Sequence, residues 1–196
     1  MIRRFAARVG DVVFHPGAAC PGFLILDQGT IRVTLTAANG REVVLYRVSH
    51  GTICLQTFTC LVSGARYSAE AVVEADVSGE IVPADQFQMR LASDAAFRKL
   101  VFDGVAERFV QYQQLVEEVA LTGFDQRLAR VLLRLADPAG FVAVTHAGLA
   151  AETASGRAFV SRRLAEFARA GVVEQGRGGV RIADRAGLER IAADIR

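Results

Sequence analysis

The 196-residue sequence contains one lysine (Lys99), three cysteines, three histidines, four prolines and no tryptophan. It also lacks any apolar run near the ~20 residues that a membrane-crossing helix requires. The paired arginines of Met1-Ile2-Arg3-Arg4-Phe5 are followed by Asp11 before a signal-peptide core can form, so a cytoplasmic location is expected. An odd set of cysteines (Cys20, Cys54, Cys60) without a secretion signal argues against a disulfide framework. Redox chemistry, metal ligation or packing are the roles left to them. His15, His50 and His146 show no His-x-His or His-x₃-His spacing, which gives a cupin-type metal site poor support; a haem ligand among them stays open. With no metal-ligand cluster and no nucleophile–base pair in view, neither an enzyme nor a bound cofactor is expected.

What is present is an ordinary globular composition, 52% hydrophobic and 22% charged, sufficient for a real core. The net charge of +2 is unevenly spread: residues 121–196 hold 12 arginines against 8 carboxylates, while residues 1–120 are net negative. Such asymmetry alone does not establish a nucleic-acid partner, but it directs attention to the carboxy-terminal part. Residues 5–83 read as short strands divided by turn signals. Asp11–Phe14 precedes Pro16-Gly17, Phe23–Leu26 precedes Gln28-Gly29, Ile31–Leu35 precedes Asn39-Gly40, and Glu42–Val48 precedes Gly51. Asn-Gly after an alternating segment is a hairpin signal, and strands at this spacing suggest a barrel or jelly roll, completed by Ser68–Val82.

The period then changes. Between Ala84 and Leu121 there is no proline, and Phe102, Val105, Phe109, Tyr112, Val116 and Val119 recur at alternating steps of three and four. That heptad seam suits a helix packed along another helix. No second matching helix exists in the chain, so the expected partner is the same helix of a second subunit in a C₂ homodimer. The alternative is an amphipathic helix lying on its own domain.

After Thr122-Gly123, a helix over Arg127–Ala136 is ended by Asp137-Pro138. Thr145 is a suitable N-cap for a helix over His146–Thr153, and a turn at Ser155-Gly156 leads to a second helix from Arg157 to Ala170 closed by Gly171. Val160, Leu164 and Phe167 define the buried face of that helix, leaving Arg157, Ala158, Ser161, Arg162 and Arg169 largely opposite. A glycine-rich hairpin around Gly176-Arg177-Gly178-Gly179 and a last helix capped by Asp184 follow. A capped helix, a turn, an arginine-faced helix and a hairpin wing together meet the needs of major-groove reading, in which Arg pairs with guanine O6 and N7.

These residues resemble the Crp–Fnr family of bacterial transcription regulators. The carboxy-terminal resemblance runs through Val144-Thr145, Leu149-Ala150, Arg157, Val160-Ser161-Arg162, Leu164 and Gly171. The amino-terminal one runs through Gly10-Asp11-Val12-Val13-Phe14, Pro16-Gly17, Phe23-Leu24-Ile25-Leu26, Gly29, Ile31-Arg32-Val33, Gly40-Arg41-Glu42 and Gly51. It implies an α+β fold with an amino-terminal jelly-roll or β-roll sensor domain like a cyclic-nucleotide-binding domain (1–93), a dimerisation helix (94–121) and a winged helix-turn-helix (122–196). The implied function is a homodimeric regulator of transcription binding a roughly palindromic double-stranded operator, with RNA polymerase as a further partner. Thr145, Arg157, Ala158, Ser161, Arg162, Arg163 and Arg177 are the DNA-binding candidates. Ala158 stands where many members carry a glutamate, so cytosine recognition there is lost. An interaction protein of the same fold that does not bind DNA is the competing reading.

In cyclic-nucleotide-binding relatives a Gly-Glu pair binds ribose and an Arg-Ser/Thr-Ala run binds phosphate. Here Gln56 aligns with the glutamate, and Arg66-Tyr67-Ser68-Ala69 puts Tyr67 at the arginine position with Arg66 displaced by one. That argues against cyclic AMP. Three cysteines, only Cys20 near the start, preclude a four-Cys iron–sulfur cluster within one chain. Cys54 and Cys60 in the sensor segment are read either as a thiol sensor, by oxidation or persulfidation, or as small buried hydrophobes. A small-molecule or haem-bound signal is the alternative to thiol control.

Overall fold

The computed structural model describes residues 2–38, 40–121 and 123–193, the side chains of 117–121 excepted. The chain divides into two compact units, one of residues 1–36 with 44–113 and the other of residues 37–43 with 114–196. No helix of the described residues is long and apolar enough to cross a membrane.

The first unit contains strands β1 (Arg3–Ala7), β2 (Val12–Phe14), β3 (Phe23–Thr36), β4 (Glu42–Ser49) and β5 (Glu70–Val82), with helix α1 (Leu55–Ser63) between the last two. The sheet order is β1-β5-β3-β4, and β2 also pairs with β5. Period-two alternation turns Leu24, Leu26, Ile31 and Val33 of β3 inward, where they meet Val48, Ala71, Val73 and Val77. The Phe23–Leu26 and Ile31–Leu35 segments, expected as two strands around a turn at Gln28-Gly29, form one strand. Gly29 instead sits in a bulge where the β3–β5 register shifts between Leu26 and Ile31. Its φ is +83°, and a Cβ there would lie 2.2 Å from the Asp76 carbonyl oxygen, so only glycine fits.

Residues 84–121 form two helices, α2 (Ala84–Ser93) and α3 (Ala95–Leu121). The break falls at Asp94, whose Oδ1 accepts the Phe97 amide at 3.0 Å and caps α3. This hydrogen bond, foremost, holds the Asp94 carboxyl below its usual range. Phe23, Ile53, Val82, Phe87, Phe97 and Val101 form a second core under the two helices. Fully burying a side chain of this size contributes about 1.5–3 kcal/mol. The heptad seam is divided by this packing. Val105 lies against the Phe87–Phe97 cluster and Tyr112 meets Tyr46 edge-on at 6.0 Å. Phe102, Phe109 and Val116, by contrast, are 59%, 62% and 65% exposed. Val119 falls outside the described side chains.

The second unit continues with α4 (Phe124–Leu135), β6 (Phe141–Val142), α5 (His146–Glu152), α6 (Arg157–Arg169), β7 (Val173–Gly176), β8 (Gly179–Ile182) and α7 (Arg185–Ala193). Helix α4 starts earlier than Arg127 because Gln126 Oε1 accepts the Gly123 amide at 2.8 Å and stabilises the first turn. Leu128, Leu132, Leu149, Val160, Leu164, Val180 and Leu188 are fully buried in one core beneath the sheet β6-β8-β7.

Gly29→Ala is expected to destabilise the chain by about 2 kcal/mol or more, combining left-handed strain with the carbonyl clash. Gly10→Ala, also at positive φ but with nothing within 4 Å of the added Cβ, should cost about half as much. Paired denaturant titrations compare the two; equal losses would contradict the close approach at Gly29.

Candidate DNA-binding and sensor sites

Helix α5 begins at Thr145, whose Oγ1 accepts the Gly148 amide at 3.0 Å and so supplies the N-cap. The α5–α6 turn passes through Ala154 at φ +50°, the only described residue other than glycine with positive φ. A β-carbon in that conformation costs about 1–2 kcal/mol, so surrounding contacts must enforce the turn. Arg157, Ala158, Arg162, Ala165 and Arg169 lie along the exposed face of α6. The Arg162 guanidinium sits 5.6 Å from the Phe159 ring, which packs against Phe124 at 4.5 Å. This contact supports the arginine stem and leaves its donors outward.

Besides Thr145, two of the candidate DNA-binding side chains are engaged within the protein. Ser161 is half-buried; its hydroxyl donates to the Arg157 carbonyl at 3.0 Å and lies 2.8 Å from His146 Nδ1. A proton on Nδ1 lets both bonds form, joining α5 to α6. Arg163, one of the DNA-binding candidates, forms a fork to Asp125 and a further pair with Glu166. The Asp125 hydrogen bonds, foremost, raise the Arg163 pKa. Its charge is matched by two carboxylates and fastens α6 to α4. Sequence reasoning did not reach this pairing because Asp125 stands 38 positions away. Arg177, with Gly178, forms the two-residue turn between paired Gly176 and Gly179, and it is exposed at the tip of the wing.

In the sensor segment Cys54 is fully buried at the start of α1 and Cys60 is buried one turn and a half later. Burial raises the Cys54 thiol pKa. Burial and then the neighbouring Cys20 push Cys60 up to about 11. Cys20, which sequence spacing did not single out, is thus the thiol beside Cys60, and its Sγ also approaches the Gly22 carbonyl at 3.2 Å. Among the described residues no three His, Cys, Asp or Glu side chains are grouped to hold a metal ion.

Gln56 bridges the segment. Its amide donates to the Tyr46 hydroxyl at 3.0 Å, and its Oε1 accepts from both the Ser68 amide (3.2 Å) and the Ser68 hydroxyl (3.3 Å). Tyr67 turns into the core and stacks on Phe14 at 4.1 Å, while exposed Arg66 donates to the Gly17 carbonyl at 2.9 Å. Arg108 of α3 is 4% exposed. It donates to the Ile53 and Arg47 carbonyls and to Gln111 Oε1, and lies over the Tyr46 ring at 4.6 Å.

The profile of the Crp-like helix-turn-helix domain matches residues 126–191, and that of the cyclic nucleotide-binding domain matches residues 4–94. The transcriptional regulator LdrP of Thermus thermophilus is 30% identical over 200 residues, covering 97% of this chain and 96% of LdrP. The chain belongs to the Crp–Fnr family of transcriptional regulators. The family's α+β fold, a cyclic-nucleotide-binding-like β domain followed by a helix-turn-helix, is the one described above. The regulator SdrP of the same organism is 28% identical, over 94% of this chain and 92% of its own. Among solved structures, a crp/fnr-family protein from Eubacterium rectale superposes with TM-score 0.88 at 24% identity, over 98% of this chain and 90% of its own. A CRP-family regulator from Thermus thermophilus gives 0.77 at 25% identity, over 99% and 98%.

A thiol-reactive chromophore added to the native protein should label Cys20 first, because it is the one partly exposed thiol of the three. Cys54 should react only on unfolding. Fast native labelling of Cys54 would contradict its burial.

Proposed function

We propose that the chain acts as a homodimeric, sequence-specific DNA-binding regulator in which α6 enters the major groove and Arg177 of the wing meets the phosphate backbone. The observation that carries this reading is the exposed row of Arg157, Ala158 and Arg162 on a helix whose opposite face is fully buried. Arg157 and Arg162 present forked donors suited to guanine, and the Ala158 methyl suits a thymine methyl. The operator is therefore unlike one that requires a cytosine opposite a glutamate. Thr145 and Ser161 shape the reader, since their hydroxyls serve the α5 cap and the α5–α6 link.

The exposed Phe102, Phe109 and Val116 recur every seven residues along α3 and supply the apolar row for the second copy. Two readers related by a two-fold axis would address half-sites about one helical turn, ~34 Å, apart. Thiol control through Cys54 and Cys60 draws little support from their surroundings, because a protonated, buried thiol is a poor nucleophile and both fill the roll's core.

Selection of genomic fragments by the purified protein would supply the operator. Arg157→Ala and Arg162→Ala should each then weaken binding about 10–100-fold, with relaxed specificity if the lost contact is to a base. Arg177→Ala should weaken all sequences alike and lower the log–log salt slope by about one. Arg163→Ala should leave that slope unchanged and act on stability instead. A failure to select any sequence would overturn the DNA-binding reading.

Phe109→Glu, on the exposed row, should give a monomer by sedimentation, and operator affinity should fall with it. A dimer that survives both Phe109→Glu and Val116→Glu would remove α3 as the interface.

A further inference from the structure

We infer that Gln56 is an internal ligand of the β-roll: its carboxamide oxygen occupies the paired donors of Ser68 and closes an anion-accepting position in the sensor segment. Ser68 presents a backbone N–H and a hydroxyl together, and both converge on one atom, Gln56 Oε1. A backbone N–H only donates, so the carboxamide atom facing it is the oxygen and not the nitrogen. Two donors aimed at one oxygen form the arrangement in which a phosphate or carboxylate oxygen is held. Here a neutral oxygen from the same chain holds it.

Gln56 is itself held in place. Its amide donates to the hydroxyl of Tyr46, a ring buried against Arg108 and Tyr112. The backbone of α1 therefore delivers the side chain from a fixed point, and the internal contact carries none of the translational cost that a free ligand must overcome. Arg66, the nearest cation in sequence, is exposed and donates from Nη1 to the Gly17 carbonyl. An external anion would have to displace Gln56 from both Ser68 donors. In the native chain the Ser68 donor pair is thus already taken when a small phosphate arrives, and the Gln56 side chain is what takes it. This inference concerns the sensor segment alone and stands apart from the reading of α6.

The experiment measures the protein without DNA. Thermal melting of the full chain is followed with and without inorganic phosphate or 3′,5′-cyclic AMP at millimolar concentration. The native Tm should move by less than about 1 °C with either probe. Gln56→Ala should melt lower than the native protein and then rise by about 2 °C or more with at least one probe, as the freed Ser68 donors find a replacement. Gln56→Glu keeps an acceptor at the same reach and should remain unresponsive. Gln56→Met keeps the length of the side chain but not the acceptor; it replaces the alanine variant if that variant does not fold, and should respond as it does. A native protein stabilised by either probe would overturn the inference, because the Ser68 donors would then be available. So would Gln56→Ala or Gln56→Met variants that fold and ignore both probes. Operator binding is not the readout, so either failure leaves the DNA-binding reading where it was.

Discussion

The arrangement of the sensor unit depends on one buried guanidinium. Arg108 reaches from α3 into the roll and donates to the carbonyls of Ile53 and Arg47. Burial lowers its pKa, but Tyr46, Gln111 and the carbonyls compensate the charge. Because both carbonyls are fixed points of the roll, α3 has little freedom to rotate about its own axis. That single orientation decides which residues of the seam face inward and which face solvent. Val105 and Tyr112 lie on the inward side with Arg108, and Phe102, Phe109 and Val116 are left outside.

The same contact explains why the sensor segment has little internal slack. Tyr46 packs against Arg108 and accepts the Gln56 amide, and Gln56 in turn takes the Ser68 donors. Polar groups at the start of α1 are therefore connected from α3 to Ser68, just before β5, through hydrogen bonds and one ring. In the other unit the corresponding fastening is ionic: Asp125 and Glu166 hold Arg163, and Arg134 pairs with Glu152. Charges that look like part of a basic reading surface are in several cases structural.

Much of this was legible in the sequence where the signal is local. Thr145, Gly171 and the Gly176–Gly179 hairpin are short-range devices, and the helix-turn-helix with its wing lies where they place it. The β-roll was legible as strands, but Gly29 looked like a turn because glycine serves a bulge and a turn by the same freedom at positive φ. Helix α1 was missed because it is nine residues long and its N-cap, Cys54, makes no side-chain hydrogen bond. The seam gave the period of α3 but not its division, since periodicity cannot say which apolar residues a tertiary contact will claim. Arg163 and the Cys20–Cys60 proximity were beyond reach for the same reason: the partner is remote in the chain.

The exposed row of Phe102, Phe109 and Val116 on α3 carries a consequence for gene control. If the chain pairs through this row, as proposed above, before two readers span an operator, it would respond to its own abundance by mass action. While monomers predominate, the concentration of assembled reader grows with the square of chain concentration, so halving synthesis cuts it about fourfold. On that proposed dimer, a row of two phenylalanines and one valine would set the copy number at which the regulator begins to act.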